Sequence, residues 1–231
     1  MDFFTRLESL RARWNVLEHS FYVRWSKGEL EREELSFYAA EYRHAVIALA
    51  EAVGAAARSA DPRSSCRFFD PTAGGAAIAS ATRARLAEHA AEEAEHIGLW
   101  DGFAAALGAD LEREPRVETD SCRDSWTAGR DALEHLVAAF TVESGQPAIA
   151  QTKLAGLLGH YGFEDGPATE YFAVHAERDH EHAAQVRELI EERLADADLD
   201  RLLEVAEGVL RGNWELLDGV ERHAGRLVDQ P

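Results

Sequence analysis

Lysine is almost missing from this chain: of 24 basic residues only Lys27 and Lys153 are lysines, and the rest are arginines. A guanidinium does not deprotonate near neutral pH, so any chemistry that needs a transferable amine falls to those two positions. Cysteine is equally scarce. Cys66 and Cys122 are the only two, in polar, loop-like stretches without CxxC spacing, which excludes a cysteine metal site and predicts free thiols in a reducing compartment. No apolar run approaches the roughly 18 residues of a membrane span, and the N-terminus lacks a basic-then-apolar leader, so the expected location is cytoplasmic and no membrane partner is implied. A formal net charge of −19 repels phosphate backbones and sets nucleic acid aside as a partner.

What is present is helix. Apolar residues recur at helical spacing almost throughout, and no segment shows sustained β alternation, so the fold class is all-α. Helices are predicted near 2–25, 31–59, 76–90, 92–107, 121–143, 147–159, 167–194 and 198–226. The breaks have local causes: Lys27-Gly28, Asp61-Pro62, Pro71 to Gly75, Gly145 to Pro147 and Gly162 to Pro167. With 231 residues, 46% of them hydrophobic, and no Gly/Ser/Pro-rich linker, residues 1–231 are expected to form a single domain.

Three of these helices carry metal-ligand residue types at ligand offsets. In HAERDHEH, residues 175 to 182, offsets of four and seven bring Asp179 and His182 to within roughly 40° of His175 on one stripe, while His180 and Glu181 fall off it. In HAAEEAEH, residues 89 to 96, His89, Glu92, Glu93 and His96 share a face, and Glu93 with His96 has the three-residue offset of carboxylate-bridged di-metal sites in helical bundles. Glu143 ends an apolar stretch that begins at Leu133, and a carboxylate entering a core needs a partner. A solvated, charge-rich face would explain any one of these stretches; three together point to a metal. The mixed oxygen and nitrogen set suits iron or manganese better than structural zinc.

The segments LEHSFYVRWSKGEL at 17–30, EELSFYAAEYRHAVIAL at 33–49, EHIGLWDGFAAALG at 95–108, VESGQPAIAQTKLAGLLGHYGF at 142–163 and EYFAVHAERDHEHA at 170–183 resemble the haem-oxygenase-like di-metal oxidases of the TenA/PqqC-like superfamily. Within them the likeness is to the group of chlamydial death-domain-associated proteins and self-sacrificing 4-aminobenzoate synthases. It implies a helical bundle of about seven or eight helices holding two transition-metal ions, Fe/Fe or Mn/Fe, with O₂ and an external reductant as the small-molecule partners. The sequence is compatible with a homodimer.

Carried over by position, the resemblance makes His96, Glu143, His175, Asp179 and His182 metal ligands. One position departs from the pattern: seven residues before the histidine of HIGLW the family has a glutamate, and this chain has His89. Either His89 is a nitrogen ligand in its place, or Glu92 or Glu93 supplies the carboxylate. Residues seven apart on a straight helix lie about 10 Å apart along its axis, so His89 and His96 need a kink or opposite ends of the cluster. The resemblance also makes Tyr22 the tyrosine that is consumed, Tyr38 a second site tyrosine and Lys153 the amino donor of an O₂-dependent synthesis of 4-aminobenzoate, a folate precursor. Alternative readings are a related di-metal oxygenase acting on a separate small molecule, a metal-free oxidase resembling pyrroloquinoline quinone synthase, a thiaminase with a nucleophilic cysteine, and a non-enzymatic interaction protein.

Overall fold

A computed structural model describes residues 2–59 and 75–228, with side chains for all of these except 75–81, 178–181 and 225–228. Among the described residues there are nine α-helices and two short 3₁₀ turns, and no strand. The helices are α1 (Phe3–Arg13), α2 (Ser20–Lys27), α3 (Arg32–Ser59), α4 (Gly75–Leu107), α5 (Val117–Thr127), α6 (Ala132–Glu143), α7 (Gln146–Gly159), α8 (Glu170–Glu191) and α9 (Leu199–Val228).

The predicted helix 2–25 is two helices. The backbone leaves α1 at Trp14, Asn15 caps a 3₁₀ turn by accepting from the Leu17 amide, and His19 Nδ1 accepts from the Phe21 amide to start α2. The predicted helix 121–143 also divides, because Asp131 accepts from the Glu134 amide while Glu134 accepts from the Arg130 amide just before the cap. Conversely, the predicted 76–90 and 92–107 form one unbroken helix, since nothing between them breaks the backbone ladder. Cys122 does not lie in a loop: it is fully buried on α5 as a free thiol, which burial pushes above its ordinary pKa. Cys66 and the predicted breaks at Asp61-Pro62 and Pro71 to Gly74 lie outside the described residues.

Helix α3 is the hub, packed against α4, α5, α6 and α9, while α8 packs against α4, α6 and α7, and α2 lies along α7. Large rings fill the centre: Trp25, Trp100, Trp126, Tyr22, Tyr38, Tyr42, Phe103 and Phe172 are all buried. Glycines permit two close approaches. At Gly28, with φ of 70°, the chain turns out of α2 where a Cβ would strike the His160 side chain at 2.7 Å. At Gly156 a Cβ would meet the Trp25 ring at 2.5 Å, so α2 can sit against α7 only because that side chain is absent. No described helix is long and apolar enough to cross a membrane.

Candidate metal centre and amine pocket

Helix α4 carries His89, Glu93 and His96 inward, and all three are buried. Helix α6 ends on Glu143, 1% exposed, and α8 brings His175 and His182 from the opposite side. The result is two triads that share one carboxylate: ligand atoms of His89, Glu93 and His182 lie within 4.8 Å of one another, and so do those of Glu93, His96 and His175. Glu93 Oε1 is 3.2 Å from His96 Nδ1 and 3.9 Å from His89 Nε2, and Glu143 Oε1 approaches His89 Nε2 at 3.0 Å. Imidazole rings pair across the helix interface, His89 with His182 and His96 with His175, each pair 4.4 Å apart between centroids.

The seven-residue offset of His89 and His96 is thereby accommodated without a kink: they occupy opposite ends, and Glu93 sits between them. Glu92 points to the rim, about one-third exposed, where it meets His182 Nε2 at 2.9 Å. Asp179 is on α8, but its side chain lies outside the described residues.

Burial without hydrogen bonding is the chief property of this cluster. His175 Nε2, His182 Nδ1 and Glu143 Oε2 are buried with no hydrogen-bond partner, and His89 Nε2, Glu93 Oε1, His96 Nδ1 and Glu143 Oε1 meet only one another. A buried polar atom left unpaired costs roughly 1–3 kcal/mol, and imidazoles and carboxylates that face one another so closely with no other donor or cation fit a site built for a cation. His175 Nδ1 lies 2.6 Å from the Tyr171 carbonyl oxygen, so Nδ1–H donates to it and Nε2 turns its lone pair to the cluster, the arrangement that orients a ligand imidazole. Burial pulls His175 down to about 4 and keeps it neutral. Burial acts in the same sense on His89, but the carboxylates of Glu143 and Glu93 outweigh it and push that imidazole up to about 9. Glu93, despite burial, is held below the usual carboxylate range by the imidazoles around it.

A second buried pocket adjoins the first through His175, which stacks on Tyr171 at 4.0 Å; Tyr171 in turn meets Trp100 edge-on at 4.9 Å. Beyond Trp100 lie Tyr38 and Tyr42, and the Tyr22 and Tyr38 hydroxyls are 3.1 Å apart. Burial raises both of those phenols well above their ordinary pKa, so they stay protonated. Lys153 Nζ enters this pocket from α7 with no hydrogen-bond acceptor, surrounded by the rings of Tyr42 at 4.4 Å, Trp100 at 5.4 Å, Tyr38 at 5.5 Å, and Tyr22 and Phe172 at 5.6 Å. Burial brings its pKa down to about 7. Trp25 anchors the segment by donating its indole N–H to the Lys153 carbonyl at 3.1 Å.

The structure therefore brings Tyr22, Tyr38 and Lys153 together in one pocket, and His89, Glu93, His96, Glu143, His175 and His182 together beside it. Sequence reasoning missed Tyr42, Trp100, Tyr171 and Phe172. Two of them were within reach: Trp100 is four residues past His96 and Tyr171 four before His175, one helical turn in each case.

The model of the TENA/THI-4/PQQC family matches residues 7–217. The chain belongs to that family. Among curated relatives of this TENA/THI-4/PQQC chain, the 4-aminobenzoate synthase of Chlamydia trachomatis is 31% identical over 229 residues, covering 94% of this chain and 91% of the relative. The 4-aminobenzoate synthase of Nitrosomonas europaea is 30% identical over 248 residues, covering 96% and 93%. A solved domain from Shewanella denitrificans, described as having a haem-oxygenase-like fold, superposes with a TM-score of 0.71 at 16% identity, over 99% of this chain and 96% of that one. The haem-oxygenase-like helical bundle expected for the TENA/THI-4/PQQC chain is thus its fold.

Proposed function

We propose that this chain is a self-sacrificing 4-aminobenzoate synthase, a di-metal, O₂-dependent oxidase that makes 4-aminobenzoate from its own Tyr22 with the nitrogen of Lys153. The observation that carries the reading is the enclosure of a phenol pair and an unpartnered amine in one aromatic pocket, next to a buried cluster of imidazoles and carboxylates whose ligand atoms face one another. The names of the relatives at about 30% identity support it.

His89, Glu93, Glu143 and His182 would hold one ion and Glu93, His96 and His175 the other, with Asp179 added from α8. Bound there, two redox-active ions supply activation of O₂ with electrons from an external reductant. The chain's own residues do the remainder. Glu93, common to both triads, would contribute its carboxylate to either ion. The rings around Lys153 exclude water, and burial leaves a large share of its amine neutral near pH 7, the form that has a lone pair to give. Tyr38 holds the Tyr22 hydroxyl in place. The product has one carbon outside its ring, so the bond that breaks is Cα–Cβ of Tyr22. Cβ leaves oxidised as the carboxylate with O₂ as the oxidant; the ring, oxidised to the quinone level by O₂, condenses with the Lys153 amine and loses its oxygen as water, and hydrolysis of the Cε–Nζ bond leaves the nitrogen on the product and the Lys153 side chain as an aldehyde.

A second reading is a di-metal oxygenase acting on a separate small molecule, and the observation that favours it is His89 where the resembling family has a glutamate. One experiment separates the two. Protein from cells grown on ring-labelled tyrosine is purified, loaded with iron and manganese, reduced and exposed to O₂, and the product is analysed by mass spectrometry. Labelled 4-aminobenzoate, below one equivalent per chain, is the expected result. Unlabelled product, or turnover past one equivalent with an added small molecule, would establish the second reading.

A further inference from the structure

On the side of the bundle where α6 hands over to α7, a cleft of about 180 Å³ runs inward between α1, the start of α7 and α9. Trp14, Trp126 and Ile149 are among its apolar lining, and its polar lining comes from Arg11, Asn15, Thr141, Ser144, Gln146 and Asn213. None of these residues belongs to the metal centre or to the pocket around Lys153.

Three features of the cleft favour a small anion with an aromatic body. First, Arg11 is a largely buried cation whose bonds go mainly to neutral acceptors, the Thr141 carbonyl at 3.2 Å and the Ser144 hydroxyl at 2.6 Å; its one acidic neighbour, Glu8, is 3.5 Å away and exposed. Second, α7 begins at the cleft with no side-chain cap, so its N-terminal partial charge adds to that of Arg11. Third, Asn213 Oδ1 is buried at the cleft with no hydrogen-bond partner. The size is also telling, since an apolar cavity of about 150 Å³ takes up one benzene ring.

Gly145 makes the arrangement feasible: a Cβ there would meet the Arg11 guanidinium at 2.7 Å. The inner wall faces the amine pocket. Gln146 and Asn213 neighbour the Tyr42 hydroxyl, and the ring of Tyr42 is the nearest of those around Lys153.

We infer that this cleft is a binding site for a small aromatic carboxylate, with the carboxylate on Arg11 and the ring between Trp14 and Trp126. Resting on the synthase reading, we assign it as the site where released 4-aminobenzoate is held on its way out of the bundle. An arginine fork matches a carboxylate in two bonds, and the two indoles offer faces for the ring.

The test is a titration of the full-length, metal-free chain with 4-aminobenzoate, benzoate and aniline, followed by tryptophan fluorescence and calorimetry. Both carboxylates are expected to bind with one site per chain and to quench indole emission, and aniline to bind at least tenfold more weakly. Arg11→Gln should weaken the carboxylates at least tenfold. Because Arg11 also ties α1 to the end of α6, a second variant, Asn213→Leu, which leaves that tie intact, should weaken them severalfold. Equal binding of aniline and benzoate, no binding at millimolar concentration, or unchanged affinity in well-folded Arg11→Gln would overturn the site. Benzoate binding with 4-aminobenzoate excluded would assign the cleft to an external carboxylate and overturn its role in product release. Failure here leaves the synthase reading standing, because that reading rests on labelled product.

Discussion

Lys153 Nζ lies 4.4 Å from the centre of the Tyr42 ring and has no hydrogen-bond acceptor within reach. An ammonium in that position is stabilised only by ring faces, whereas a neutral amine gives up little hydration on burial, which is why the group titrates near 7. The sign of the effect on stability follows. In the unfolded chain the lysine stays protonated up to about 10.4, so between about 7 and that value folding releases a proton and stability from this group rises with pH; below about 7 the cost of the buried charge is carried in full. Lys153→Met should flatten the dependence of Tm on pH between 7 and 10 and raise Tm at pH 6. A slope as steep as in the parent protein would show that Lys153 is charged in the fold.

As the proposed amino donor, Lys153 should be intolerant even of a retained charge. Lys153→Arg is expected to abolish release of 4-aminobenzoate, because the guanidinium keeps its nitrogen delocalised and protonated. Bound metal should be unaffected in the same preparation, since no ligand has been touched. Product from this variant at more than a few per cent of the parent yield would remove Lys153 from the chemistry.

For the two tyrosines the outcomes should differ in kind. Tyr22→Phe removes the phenol proposed to become product and should give none. Tyr38→Phe removes one hydrogen bond to it, worth about 1 kcal/mol, and should slow release by about fivefold while leaving the product labelled from tyrosine. Time courses by quenched-flow and mass spectrometry separate the two.

The metal centre can be tested with no activity measurement. Elemental analysis of His175→Ala/His182→Ala protein should show loss of most bound metal while circular dichroism retains the helical signal, because the aromatic core does not depend on the cluster. The shared position of Glu93 predicts more: Glu93→Ala should lower the content of both ions, and His89→Ala that of one. Equal and small effects of the two single variants would reduce α4 to a contribution from His96 alone.

The stripe His175 and His182 was legible because a helix converts spacing into direction, and the same logic brought out His89, Glu93 and His96. Which of His89, Glu92 and Glu93 turns inward was not legible, for it depends on how α4 rotates against α8, a tertiary relation with no local signature. All but Glu92 turned in. The ends of helices were partly readable: Asp131 and Glu134 form a capping pair visible in the string DALE, yet a reading that followed apolar periodicity alone ran through it. The break at Asn15 and His19 offered a weaker signal, since histidine is not among the preferred caps. The rings around Lys153 come from α2, α3, α4 and α8, and only the folded chain brings them to one point.

Tyr22 is 1% exposed and packs against Phe21 and Trp25 while bonding to Tyr38. Under the proposed chemistry, a molecule that has delivered its ring carries a hole where that side chain stood. Emptying a buried aromatic position costs roughly 3–5 kcal/mol, a large fraction of the stability of an ordinary domain. Used molecules would then melt earlier and be cut by proteases sooner than fresh ones, so a cell's quality-control machinery would distinguish the two with no dedicated tag. The lifetime of the protein would be set by its single act of synthesis.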